Sequence, residues 1–221
     1  MSVLKSFLVA VWNVPSGRIA LVVLAVFMAL ALLGPWIAPF DPLARNYGAD
    51  GRLVRLAGPS GQHWLGTTLM GRDIASQMLH GAWPAFMVGG MTAIGTVLIG
   101  LNIGLIAGYF GGRTDDVVMY LINTRLSMPG LLVALALVAV VGGSLLTIIL
   151  VLGFLFWDRY AVVVRTAAQQ IRANDYIAAA RTAGASAPWI IWHELRPNLT
   201  HHILVVATLE MALAVLAEAS L

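Results

Sequence analysis

Asn174 to Asn198 reads N-D-Y-I-A-A-A-R-T-A-G-A-S-A-P-W-I-I-W-H-E-L-R-P-N, a polar stretch rich in small residues and interrupted by Gly184. The sequence on both sides is apolar for about the thickness of a bilayer. Asn174 is placed to cap a short helix built on the strong helix formers Ala178, Ala179 and Ala180, and Gly184 is the expected left-handed stop. Ser186 then caps a second helix, with Pro188 in its first turn, where a missing N–H costs nothing. Two short helices therefore meet at a glycine on the water side of a membrane. The face of Ala179, Ala180 and Ala183 carries little side-chain bulk, so another protein can approach its backbone closely. This is the geometry of a docking knuckle.

Composition sets the frame around it. The 221 residues are 60% hydrophobic and only 10% charged, with a mean hydropathy of +0.87, where a soluble domain is nearer a quarter charged. The fold class is therefore an all-α, polytopic membrane protein. The net charge of +3 contains no basic run with interleaved aromatics, which argues against nucleic acid. With no cysteine, disulfides and thiolate metal sites are excluded.

Outward from the knuckle, the hydropathy pattern places five spans. Residues 1–17 form a cytoplasmic N-terminal segment in which Phe7, Leu8, Val11 and Trp12 recur at helical spacing, an interfacial helix ended by Pro15 and Gly17. The first span is 18–38. Ala29-Leu30-Ala31 is a tolerable signal-peptidase site, but the apolar run continues past it to Ala38, so an uncleaved helix is expected. Residues 39–83 form an extracytoplasmic loop opened by the breakers Pro39-Phe40-Asp41-Pro42. The core domain, 84–221, begins with a span at 84–107. Gly100, Gly104 and Gly108 lie four apart there and strip one helix face for close packing. Asp115 and Asp116 are expected to cap the third span, 117–140, which Pro129-Gly130 should kink. Gly142-Gly143-Ser144 turns into the fourth, 145–164. The cytoplasmic loop 165–200 contains the knuckle, and a fifth span runs from His201 to Leu221, where the sequence ends. His201 and His202 read as an interfacial, solvated pair. Seven cations inside (Lys5, Arg18, Arg113, Arg165, Arg172, Arg181, Arg196) against four outside (Arg45, Arg52, Arg55, Arg72) put the N-terminus in the cytoplasm.

Ionisable residues inside spans are functional candidates by default. Here they are Arg125, Asp158, Arg159, Glu210 and Glu218. Asp158 and Arg159 are adjacent, suited to a pore wall or to a buried structural pair. Glu210 and Glu218, eight apart, roughly share a helix face and suit a pore wall or a subunit interface. A proton relay is the weaker alternative, because no inverted repeat of broken helices accompanies them. No G-x-x-x-x-G-K-[ST], G-x-S-x-G or H-E-x-x-H occurs, so no nucleotide cradle or common hydrolase signature is present, and any ATP dependence must come from a partner.

Several motifs together resemble the inner-membrane permease subunits of bacterial ABC importers for dipeptides, oligopeptides and nickel, the DppC/OppC type. Leu65-Gly66-Thr67-Thr68-Leu69-Met70-Gly71-Arg72-Asp73 is similar to the family's L-G-T-D-x-x-G-R-D, and Ala107 to Gly112 to its A-G-Y-F-G-G. Tyr176 to Ser186 is similar to the permease EAA loop, Arg196-Pro197-Asn198 to L-P-N, and Ala217 to Leu221 to the start of E-A-S-L-S-F-L-G. Ala178 stands where the motif carries its glutamate. The resemblance implies a helical bundle of the type I importer kind, with five spans visible and a sixth apparently missing at a truncated C-terminus. It implies a transport subunit of the bacterial inner membrane, not an enzyme, paired with a second permease, two ATPase subunits that bind the ATP and Mg, and an extracytoplasmic binding protein. Tyr176, Ala179, Ala180, Arg181 and Gly184 are the expected coupling residues. Peptides are the expected substrate, with nickel, glutathione, sugars or another small solute as alternatives. An ion-coupled secondary transporter and a membrane-embedded enzyme are the competing classes.

Overall fold

A 23-residue helix, α1 (Pro15–Ile37), opens the computed structural model, which describes residues 11–221. Pro15 lies in its first turn, where φ is already helical, so the helix starts at this proline instead of after it. The interfacial reading of Phe7 and Leu8 falls outside the described residues. At ~1.5 Å per residue α1 is about 35 Å long, enough to span.

The chain divides into two units, Met1–Phe86 and Met87–Leu221, with the boundary inside the 37-residue helix α2 (Ile74–Phe110). In the first unit, α1 meets the start of α2 at Gly34, where an added Cβ would lie 2.6 Å from the Leu79 carbonyl oxygen. The loop before α2 is not a sheet. Two isolated antiparallel bridges, Tyr47 with Leu53 and Thr67 with Asp73, fold it back on itself.

Buried polar side chains hold this loop. Thr67 Oγ1 donates to the Val54 carbonyl at 2.7 Å and accepts from the Ala57 N–H at 3.0 Å. The fully buried Asp73 receives His63 Nδ1 at 2.9 Å, the Ser76 N–H at 2.8 Å and the Ser76 hydroxyl at 2.7 Å, and Ser76 Oγ in turn accepts the Phe40 N–H. Burial works against the Asp73 carboxylate, but the bonds from Ser76 and His63 outweigh it and hold its pKa below the ordinary carboxylate range. Asp73 thus caps α2, and the helix begins at Ile74 rather than near Pro84 as the sequence suggested. Pro84 sits inside the helix.

In the second unit, α2 is followed by α3 (Gly112–Leu126) and α4 (Gly130–Val141), bent by 75° relative to each other. The expected kink at Pro129-Gly130 is a full break, with Pro129 as the cap residue of α4. The cap of α3 is Gly111, at φ 64°, not Asp115 or Asp116. Asp116 is exposed, and the Asp115 carboxylate is occupied elsewhere. After Gly142-Gly143, the Ser144 hydroxyl accepts the Thr147 N–H at 3.1 Å and starts α5 (Leu145–Leu155), which continues beyond Phe156 as α6 (Trp157–Arg172). The last helix, α10 (Thr200–Glu218), follows a run of short helices described below. The side chains of His201 and His202 lie outside the described residues.

By length and hydropathy, Pro15–Ile37, Ile74–Phe110 and Leu145–Arg172 can each cross a membrane, and two bent pairs raise the number to as many as five. The five spans expected are the upper end of that range, reached only if each bent pair counts as one span. The glycines of α2 meet α6 in register. A Cβ added to Gly100, Gly104 or Gly108 would lie 2.7 Å from the carbonyl oxygens of Trp157, Ala161 and Arg165 respectively. With steps of four on both helices, the two backbones run in contact over two turns.

Candidate functional site

The knuckle is two short helices hung from the membrane helices by buried apolar side chains. The first, α7 (Asp175–Thr182), starts at Asn174 and buries Ile177 completely. The second begins as α8 (Ala187–Ile190), widens to a π turn over Ile191–Leu195 and ends as α9 (Arg196–Asn198), burying Ile190 and Leu195. These residues join Leu105, Tyr109, Val164 and Ala168 in one core cluster. Asn174 and Ser186 occupy the cap positions with extended backbone, but neither side chain accepts a capping bond.

Gly184 ends α7 at φ +87°. Its N–H donates to the Arg181 carbonyl, and the Ala185 N–H reaches back to the Ala180 carbonyl, both at 3.0 Å. This pair of bonds is the Schellman arrangement, which requires a left-handed residue at the stop. An added Cβ on Gly184 would meet nothing within 4 Å, so conformation alone demands glycine.

Of the residues expected to couple, Tyr176, Ala179, Arg181 and Gly184 are exposed, while Ala180 is half-buried and packs against the core. The open face is therefore Ala178, Ala179, Thr182 and Ala183, one position round from the face drawn from sequence. The Arg181 guanidinium lies 4.9 Å from the centre of the Tyr109 ring, which ties α7 to the end of α2. Trp189 stacks on His193 at 5.0 Å, and Arg196 lies over Trp192 at 4.7 Å.

A pair that sequence reading missed braces the membrane end of this assembly. Arg165 on α6 donates two hydrogen bonds to the Asp115 carboxylate on α3, and Gln169 adds a third at 3.2 Å. The partners are 50 residues apart, so nothing local announces them.

Inside the spans, Arg125, Asp158 and Arg159 line a cavity of about 80 Å³ where α3, α4 and α6 approach. Asp158 is 3% exposed and accepts the Arg159 N–H, but its carboxylate makes no ion pair with the Arg159 side chain among the described residues. Arg125 reaches across to the Leu155 carbonyl at 2.5 Å and to the Met128 carbonyl at 3.5 Å, so one guanidinium serves both helix breaks. Glu210, 2% exposed on α10, lies within electrostatic reach of Arg159 and Asp158. Glu218, the last residue of α10, is partly buried. No cluster of three or more metal-ligating side chains occurs among the described residues.

Residues 100–221, more than half of the chain, match the family described as binding-protein-dependent transport system inner membrane component, and residues 15–59 match the N-terminal TM domain of oligopeptide transport permease C. The chain belongs to this family, whose members are transport components and not enzymes. It is 31% identical over 203 residues to the dipeptide transport system permease protein DppC of Alkalihalophilus pseudofirmus, covering 92% of this chain and 65% of that protein. It is 33% identical to the probable D,D-dipeptide transport system permease protein DdpC of Escherichia coli K12, covering 90% and 65%. With the DppC of Bacillus subtilis the identity is 35%, covering 91% and 61%. The chain thus spans somewhat less than two thirds of the length of these relatives.

Proposed function

We propose that this chain is one of two permease subunits of an ATP-driven importer for di- or oligopeptides. In this reading a binding protein delivers the peptide on the extracytoplasmic side. Partner ATPase subunits, which hold the ATP and Mg, dock on the knuckle at Asn174 to Asn198, in the cytoplasm with the N-terminus. The observation that carries it is the knuckle's construction: small exposed residues outside, and the fully buried Ile177, Ile190 and Leu195 inside. A displacement of α7 is transmitted because packed side chains resist compression. Closure of the ATPase pair would pull on these apolar pins and rock α2 and α6, which run backbone to backbone along the glycine stripe. The peptide assignment rests on the printed names of the relatives; nickel, glutathione or another small solute is the alternative, and an ion-coupled transporter without an ATPase is the more distant one.

The test exploits the absence of native cysteine. Ala179→Cys, co-expressed with the neighbouring ATPase and permease subunits and with a cysteine on the ATPase surface, should crosslink in an ATP-dependent manner. An assembled complex with no crosslink at Ala179, Ala178 or Ala183 would refute docking at this loop.

A further inference from the structure

The charges near the helix breaks are not disposed symmetrically. Asp158 and Glu210 are buried, at 3% and 2% exposure, whereas Arg159 is exposed. Arg159 lies inside Leu145–Arg172, which is long and apolar enough to cross a membrane. A guanidinium there cannot face hydrocarbon without a large cost, so its surroundings are water or protein. No hydrogen bond or ion pair engages the Arg159 guanidinium among the described residues. Beside it lies the cavity shared with Arg125, whose Nε is buried and without a partner. That volume is large enough for several waters or one carboxylate. Asp158 lines the same cavity, whose wall therefore carries two arginines against one aspartate.

Resting on the peptide reading above, we infer that Arg159, with Arg125 beside it, forms an intramembrane contact point for the carboxylate end of the transported peptide. A guanidinium offers a planar fork of N–H donors to a carboxylate. The two arginines have different duties. Arg125 is held by the Leu155 and Met128 carbonyls and keeps the breaks together, while Arg159 is free to meet the substrate.

The experiment uses the complete importer, reconstituted in proteoliposomes with its binding protein at saturation. Maximal uptake is measured for a dipeptide and for the same dipeptide as its C-terminal carboxamide, in wild type, Arg159→Lys, Arg159→Gln and Arg159→Glu. Arg159→Gln should lower carboxylate uptake relative to carboxamide uptake by about fivefold or more against wild type, the scale of one screened charge-assisted contact. Arg159→Glu should lower it further, and Arg159→Lys should retain most of it. Equal effects on both peptides, or no effect, would overturn the inference. Loss of the second permease on purification of Arg159→Gln would also overturn it, since Arg159 would then be an interface residue. A wild-type complex that hydrolyses ATP but moves neither peptide would instead refute the peptide reading.

Discussion

Replacing Gly104 with alanine adds one methyl group at the middle of the α2–α6 contact. The new Cβ would lie 2.7 Å from the Ala161 carbonyl oxygen, 2.8 Å from Val164 Cβ and 2.9 Å from Val164 Cγ1. Ordinary contact begins at 3.4 Å, so the helices must separate by roughly 0.7 Å or the α6 backbone must shift. Neither neighbour is the end of a flexible chain: one atom is backbone, and the others belong to a β-branched residue that is 1% exposed. Overpacking of this kind costs about 1–3 kcal/mol. At about 2–4 °C per kcal/mol for a chain of this size, the melting temperature should fall by roughly 2–12 °C. Gly90→Ala, on the same helix with nothing within 4 Å of its added Cβ, is the control. It should be neutral or stabilising by up to ~1 kcal/mol, because alanine is the better helix former. The assay is thermal unfolding of both variants in one detergent, followed by circular dichroism. Equal melting temperatures for Gly104→Ala and Gly90→Ala would refute the close backbone contact, and with it the rigid link proposed to carry motion from α6 to α2.

Gly184→Ala should cost about 1–2 kcal/mol from left-handed strain alone, and Gly184→Asn less; a crosslinking yield at Ala179→Cys that tracks this order measures the distortion of the knuckle. Ile177→Ala removes a fully buried pin and should cost about 2–5 kcal/mol, read as lost transport with the bilayer helices still formed by circular dichroism. Asp115→Asn leaves the Arg165 guanidinium short of its charged partner and should destabilise the complex by about 1–3 kcal/mol, while the double variant Asp115→Asn, Arg165→Gln recovers part of the loss in thermal unfolding. The folded-state pKa of Asp73 lies below its ordinary value of 3.8, so its contribution is complete above that value and disappears as pH falls through the lower, folded-state one. Hydrogen exchange of the 39–73 amides should accelerate below about pH 4, and Asp73→Asn should expose them at neutral pH and flatten the dependence.

The parts legible in the sequence were those governed by interactions within one turn or by the bilayer itself. The stop at Gly184 was readable because a left-handed residue is a local demand that glycine meets. The apolar runs were readable because hydrocarbon forces every spanning backbone to bond to itself, which turns length and hydropathy into helices. Boundaries failed where a distant partner intervened. Asp73 was read as a loop residue, yet His63 and Ser76 make it a cap, so α2 starts at Ile74 and carries Pro84 within it. Asp115 was read as a cap, but Arg165 had claimed its carboxylate.

The sequence by itself determined that this chain forms membrane helices, that two short helices meet at Gly184, and that Gly100, Gly104 and Gly108 share a bare face. Only the tertiary structure decided that this face meets Trp157, Ala161 and Arg165, that Ala180 turns inward, and that Arg159 is exposed while Asp158 and Glu210 are buried. Helical periodicity says which residues share a face. Which face another helix covers depends on the packing of segments some 50 residues apart, and no local pattern encodes that.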